Sequence, residues 1–191
     1  MPITILKPLA FSAAMSHVHE GAAFVDMRQL DEYLDVHIPA SLALQYEFGP
    51  GFASRARDIL PLEVPLILLD LGTGDVAHAA ASLKGKGFNV LGAVEDGINA
   101  WSELHGTPAS TEIYRGPTPT HTTVLDVGDP GAVVAEGALS VPIEHLWRRL
   151  DEIENESRVT IAAGYGLRAA LAIGVLERVE VDEIVFWKTR E

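Results

Sequence analysis

Two glycine-bearing turns are the places where this sequence could house chemistry. In the first, the apolar run Leu66 to Leu69 ends at Asp70, passes through Leu71, Gly72, Thr73, Gly74 and Asp75, and enters a helical pattern over Val76 to Lys84. In the second, Val159 to Ala162 leads into Ala163, Gly164, Tyr165, Gly166, Leu167 and Arg168, and the apolar stretch Leu167 to Leu176 reads as the helix that follows. A strand–loop–helix turn gathers successive backbone N–H groups at one spot, and the positive end of the helix dipole reinforces them. Such a turn stabilises a thiolate or a bound anion. A thiolate is ruled out, because the 191 residues contain no cysteine. Disulfides, cysteine-ligated metals and thiol redox chemistry go with it.

One other group has ligand-type residues. His17-Val18-His19-Glu20 begins like an H-x-H-x-D-H zinc pattern, but Gly21 and Ala22 stand where the next ligands belong, so neither a metal nor a cofactor is expected. The net charge of −13, from 27 acidic against 14 basic side chains, repels phosphate backbones and anionic membrane surfaces, which argues against a nucleic-acid partner. Asp151, Glu152, Glu154 and Glu156 read as a solvated helix end. With 48% hydrophobic and 21% charged residues, the chain has enough apolar mass to fold. The longest apolar candidate for a membrane span, Val64 to Leu69, breaks at Asp70, far short of the roughly 18 residues required. The N-terminal MPITILKPLAFSAAMS has one lysine and a short apolar run interrupted by Pro8, unlike a signal peptide, and a cytoplasmic location is expected.

The elements that must position the two turns alternate along the chain. Ile3 to Leu6 reads as a short strand, Pro8 to His19 as a helix ended by Gly21, and Phe24 to Asp26 as a buried strand. Leu30 to Leu34 is a helical turn, Ser41 to Leu44 a strand, Phe48-Gly49-Pro50-Gly51-Phe52 a loop, and Ser54 to Ile59 a helix. Leu66 to Leu69 after Pro65 suits a central parallel strand buried on both faces, and Phe88 to Val90 is the next strand, with Phe88 and Trp101 in the core. The series then restarts. Val124 to Val127 and Leu139 to Val141 are strands, Ile143 to Ile153 a helix, Val159 to Ala162 and Glu183 to Phe186 strands. Between the two series, 108–121 is rich in proline, threonine and glycine and reads as a linker joining a domain at 1–107 to a second at 122–191. The fold class expected is α/β: two three-layer units, each a mostly parallel sheet flanked by helices. The second, truncated to about 70 residues, is expected to lean on the first for burial.

Phe24-Val25-Asp26-Met27-Arg28, then Glu32-Tyr33, then His37-Ile38-Pro39-Ala40 and a closing Gly97-Ile98-Asn99-Ala100-Trp101 resemble the rhodanese (sulfurtransferase) family. Its members read D-V-R, E-Y or E-F, G-H-I-P-G-A and G-G-x-x-A-W. The second copy is looser. Asp126 is kept, Gly128 replaces the arginine, Gly137 to Pro142 (GALSVP) matches G-A-I-N-I-P, and only Trp187 is left of the closing motif. The pairing, with FGPGFASRARDILP before the central strand, looks most like the rhodanese pair at the C-terminal end of metallo-β-lactamase-fold proteins related to persulfide dioxygenases.

In that family the catalytic cysteine ends the central strand. The resemblance places Asp70 there in the first copy and Ala163 in the second, with Arg168 on the family's loop arginine and Asp75 at its counterpart. Neither residue accepts sulfane sulfur, and the related arginine-and-cysteine phosphatases are excluded by the same absence. The resemblance therefore implies a non-catalytic tandem module, binding or regulatory or an accessory in sulfur metabolism, whose partner is a protein or a small anion. The alternative is a sulfurtransferase working with a partner that supplies the cysteine. Asp26, Arg28, His37 and Asp126 are implied to be a buried, hydrogen-bonded structural signature. Asp70 is expected to cap the following helix through Thr73 and its neighbours. The second loop, 163–168, is expected to remain an unblocked cradle for sulfate or phosphate.

Leu69-Asp70-Leu71-Gly72-Thr73-Gly74 also copies the D-L-G-T-G loop of S-adenosylmethionine-dependent methyltransferases. Val76 stands where that motif needs its third glycine, and a second sheet restarts downstream, so this reading ranks below the first. Sugar-kinase and actin-like phosphate loops and haloacid-dehalogenase phosphatases rank lower still.

Overall fold

The computed structural model describes residues 6–47, 51–72, 74–128, 135–153, 155–163 and 166–189. The first half runs α1 (Phe11–His19), β1 (Ala23–Asp26), α2 (Leu30–Asp35), β2 (Leu42–Ala43), α3 (Gly51–Ile59), β3 (Leu66–Asp70), α4 (Val76–Gly85), β4 (Val90–Glu95) and α5 (Gly97–His105). The second runs β5 (Glu112–Tyr114), β6 (Thr123–Asp126), β7 (Leu139–Ser140), α6 (Ile143–Leu146), a 3-10 turn (Leu150–Glu152), β8 (Arg158–Ala163), α7 (Gly166–Glu177) and β9 (Glu183–Lys188). This is an α/β fold of parallel sheets flanked by helices, and no helix among the described residues is long and apolar enough to cross a membrane.

One construction is repeated. The first sheet has the order β2-β1-β3-β4 and the second β5-β9-β8-β6-β7, so β7-β6-β8-β9 repeats β2-β1-β3-β4 strand for strand. The small bonds repeat too: Leu44 N–H to the Asp26 carbonyl (2.8 Å) matches Val141 N–H to that of Asp126 (2.9 Å). Even the outer strand has a counterpart. Leu9 N–H donates to the Ala93 carbonyl and Ala93 N–H to that of Lys7, so residues 7–9 run parallel along β4 as β5 runs along β9.

Central strands here need burial on both faces. Leu66, Ile67, Leu68 and Leu69 are at most 1% exposed, and only Asp70 at the strand end reaches the surface. Between Arg168 and Glu177 helix α7 is apolar all round, with Ala169 to Leu176 buried, and a helix segment of that kind must be covered on every side. It packs on β8 and β9 of its own half and on β2 and α2 of the other. One hydrophobic cluster accordingly joins Tyr33, Leu42 and Phe52 to Ile143, Leu146 and Ile173. A second, within the first half, holds Phe24, Ile67 and Val94 with Trp101 only partly buried against it, while Phe88 sits in the first cluster.

Several boundaries differ from the sequence reading. Helix α1 begins at Phe11 because Pro8 is taken by the β4 edge. Helix α3 begins at Gly51, three residues before Ser54. Strand β4 begins at Val90, since Phe88 N–H instead closes the end of α4 on the Leu83 carbonyl past Gly87 at φ 95°. The expected helix from Ile143 to Ile153 breaks after Leu146: its backbone bonds tighten to i→i−3 at Arg148, Arg149, Glu152 and Ile153, while Ile143, Leu146 and Ile153 all stay fully buried. Glu112–Tyr114, within the segment read as a linker, forms β5 of the second sheet. The strand expected over 3–6, and residues 48–50 of the Phe48–Phe52 loop, fall largely outside the described residues.

Candidate functional site

The structural signature assembles first. Asp26 Oδ1 accepts the Arg28 N–H at 3.0 Å, its carboxylate takes the Arg28 guanidinium (2.7 Å from Nη2 to Oδ2), and that guanidinium also donates to the Val36 carbonyl. His37 is fully buried, stacked on Tyr33 at 4.2 Å, with Nδ1 on the Tyr33 carbonyl (2.9 Å) and Nε2 on Glu177 of α7 (3.0 Å). Asp126 is buried and Oδ1 accepts the Gly128 N–H at 2.9 Å, the turn Asp26 makes, with Gly128 at the position of Arg28.

Loop one leaves β3 at Asp70. Gly72 (φ 81°) and Gly74 (φ 77°) take the left-handed conformations that flank Thr73, which itself lies outside the described residues. Asp70 Oδ1 accepts the Gly72 N–H at 3.1 Å, a turn two residues on rather than a cap on α4. The N-cap position of α4 belongs to Asp75, which makes no side-chain capping bond. Asp70 also faces Glu95 across the β3–β4 ladder, and Asp96 N–H reaches the Asp70 carbonyl at 3.3 Å. Asp70 and Asp75 at the two ends of the loop, with Glu95 beside Asp70, make this edge of the sheet acidic. Tyr46, whose phenol is pushed up first by burial, is pushed further by the Asp75 charge.

Loop two leaves β8 at Ala163, 2% exposed, and enters α7 at Gly166; Gly164 and Tyr165 lie outside the described residues. A Cβ on Gly166 would strike the Leu30 side chain of α2, so the start of α7 abuts the first half. The Arg168 guanidinium turns to α6. It holds Glu144 of α6 in a two-pronged ion pair, Nη1–Oε2 at 3.0 Å and Nη2–Oε1 at 2.9 Å, with both side chains mostly covered. Beside it a cavity of about 260 Å³, walled by Leu44, Ile59, Ile143, Leu167 and Leu171, opens between the halves. Thus the sequence-predicted residues fall into two separate loops with opposite character. Glu144, Glu177 and Glu95, which complete them, carry no local motif.

No group of three or more His, Asp or Glu side chains among the described residues is placed to hold a metal ion; His17 instead meets Glu20 at 3.4 Å on α1. With no cysteine, and with Asp70 and Ala163 at the strand ends, neither loop offers a nucleophile for sulfur transfer.

No protein-family model matches the chain. Over 99 residues, 52% of this chain and 90% of the relative, it is 28% identical to the thiosulfate sulfurtransferase GlpE of Pseudomonas savastanoi pv. phaseolicola. Among solved structures, it is similar to a thiosulfate sulfurtransferase from Pseudomonas aeruginosa, at 20% identity and a TM-score of 0.41 over 96% of this chain. It is also similar to an EanB variant bearing a cysteine persulfide with ergothioneine, at 14% identity and a TM-score of 0.47 over 95%. The chain spans 38% and 59% of those two proteins. The parallel α/β architecture and the relative in sequence indicate a rhodanese-like sulfurtransferase fold. On that fold, the absence of cysteine fits an inactive form.

Proposed function

We propose that this chain is a non-catalytic tandem rhodanese-like module, two units of one design that bind a partner or ligand in sulfur metabolism without transferring sulfur. The observation that carries the reading is the pair of residues ending β3 and β8. Asp70 is a carboxylate already bonded to its own loop, and Ala163 has no reactive atom. The N-terminal unit covers 1–107 and the C-terminal one 122–191, with β5 of the intervening segment serving the second sheet. Their shared helix α7 makes them a single folded body, which suits a protein that presents surfaces rather than one that opens for turnover. Cytoplasmic placement belongs to the same reading.

The test is thiocyanate formation from thiosulfate and cyanide by the purified chain. Production at the level of a protein-free blank is expected. Enzyme-dependent turnover that scales with protein concentration would remove the proposal.

A further inference from the structure

A cavity of about 630 Å³ opens beside loop one, between residues 6–11, the first turn of α4 and the C-terminal ends of β3 and β4. Its outer wall depends on a close backbone approach. A Cβ on Gly92 would collide with the Lys7 carbonyl oxygen and stand 2.8 Å from Leu9 Cγ, so only glycine lets 7–9 lie along β4. Leu6, Leu9, Phe11, Val76 and Val94 make the lining mainly hydrocarbon. Among the described residues its ionisable side chains are both carboxylates, Asp70 and Glu95, neighbours across the β3–β4 ladder, and no lysine, arginine or histidine lines it. Asp70 uses Oδ1 for the Gly72 N–H and keeps Oδ2, and Glu95 has no side-chain partner among the described residues.

We propose that this cavity binds an organic ammonium ion with an apolar body. The two carboxylates take the cationic head, hydrocarbon walls take the body, and the Phe11 ring, held parallel to Phe24 at 6.1 Å, adds a cation–π face. The competing chemistries fit less well. An anion would meet two carboxylates on a chain of net charge −13. A bare metal ion would leave the hydrocarbon lining, most of the cavity, without a role. A neutral hydrophobe would cover the carboxylates without pairing them. The pocket thus inverts the anion-binding logic of a strand-to-helix loop, and it goes beyond the non-catalytic reading because it requires no sulfur chemistry.

The experiment is calorimetric titration of the full chain near neutral pH with 2-phenylethylammonium, alongside the anionic 3-phenylpropionate and the isosteric, neutral 2-phenylethanol. Saturable binding of the ammonium is expected, about tenfold tighter than either comparator, weakening in about 0.5 M salt and about tenfold weaker in Asp70→Asn/Glu95→Gln. No saturable ammonium binding, equal binding of the three probes, or undiminished binding by the folded double variant would overturn the inference. If the variant does not fold, the salt dependence and probe ranking of the natural chain decide. Thiocyanate production plays no part in these readouts, so either conclusion can fall without the other.

Discussion

His37 Nε2 lies 3.0 Å from Glu177 Oε1, joining residues 140 positions apart and two halves of the chain. The hydrogen count is constrained. Nδ1 faces the Tyr33 carbonyl, which only accepts, so Nδ1 carries a hydrogen, and Nε2 opposite a carboxyl then needs one more between them. Glu177 Oε2 meanwhile accepts the Ala40 N–H at 2.7 Å, where Ala40 is held at φ 64°. The next residue repeats the tie: Arg178 donates to the carbonyls of Gly21 and Ala22.

Substitution at Glu177 separates shape from charge. In Glu177→Gln the amide still accepts from Ala40 and can donate to Nε2, so a loss of about 1 kcal/mol is expected. In Glu177→Leu a buried imidazole nitrogen and a backbone N–H both lose their partner, which costs about 3–5 kcal/mol, or roughly 10 °C in Tm for a chain of this size. Thermal melts by circular dichroism check the order; equal losses in the two variants would show that the hydrogen bonds contribute little.

Gly174 tests how closely α7 must approach the other half. A Cβ there would enter the Ser41 carbonyl oxygen and stand 2.9 Å from its carbon and 3.1 Å from Tyr33 Oη. Alanine favours the helix by about 1 kcal/mol, but rigid backbone opposes it and overpacking of about 1–3 kcal/mol should win. Gly166→Ala meets only the flexible Leu30 side chain and is expected to be near neutral. Urea unfolding of both variants measures the difference, and a stabilised Gly174→Ala would contradict the packing described.

Much of this architecture is legible in the residues themselves. The Leu66–Leu69 run gives β3 and the unbroken apolar run 169–176 gives α7, because a helix segment without a polar face has to be covered. The strand at 112–114 is hidden because Pro, Gly and Thr around it carry turn signals, and only its counterpart along β4 explains it. Phe88 looks like a strand residue because it is apolar, yet its N–H ends a helix. Asp70 and Arg168 are visible as loop residues, but their partners are not. Glu144 lies 24 residues from Arg168 and Glu177 lies 140 from His37, separations at which no periodicity operates.

The Arg168–Glu144 pair sets an acid-side dependence. Burial raises the Glu144 carboxyl, but the hydrogen bond and charge of Arg168, aided by the residue's own backbone and His145, outweigh it and hold it below the ordinary 4.5. A carboxyl held down in the folded state contributes stability that is complete above its unfolded value and is lost as pH falls through the folded one. Tm should therefore drop on acidification below about pH 5. Arg168→Met should lower Tm near pH 7 by about 2–4 °C and make that acid limb shallower. An unchanged limb in the variant would assign the acid dependence to other carboxylates.

The same pair decides whether loop two can take an anion. Sulfate or phosphate at residues 163–168 must compete with a carboxylate that already occupies the Arg168 fork, so the natural chain should show only a small anion-dependent rise in Tm. Glu144→Ala removes that carboxylate while leaving the α7 N-terminus and Arg168 in place. In that variant about 10 mM sulfate should raise Tm by several degrees over chloride at matched ionic strength, as a ligand present at many times its Kd does. Glu144→Ala/Arg168→Met should lose the rise. If sulfate shifts the natural chain and Glu144→Ala equally, the anion acts elsewhere, and Arg168 serves only to fasten α7 to α6.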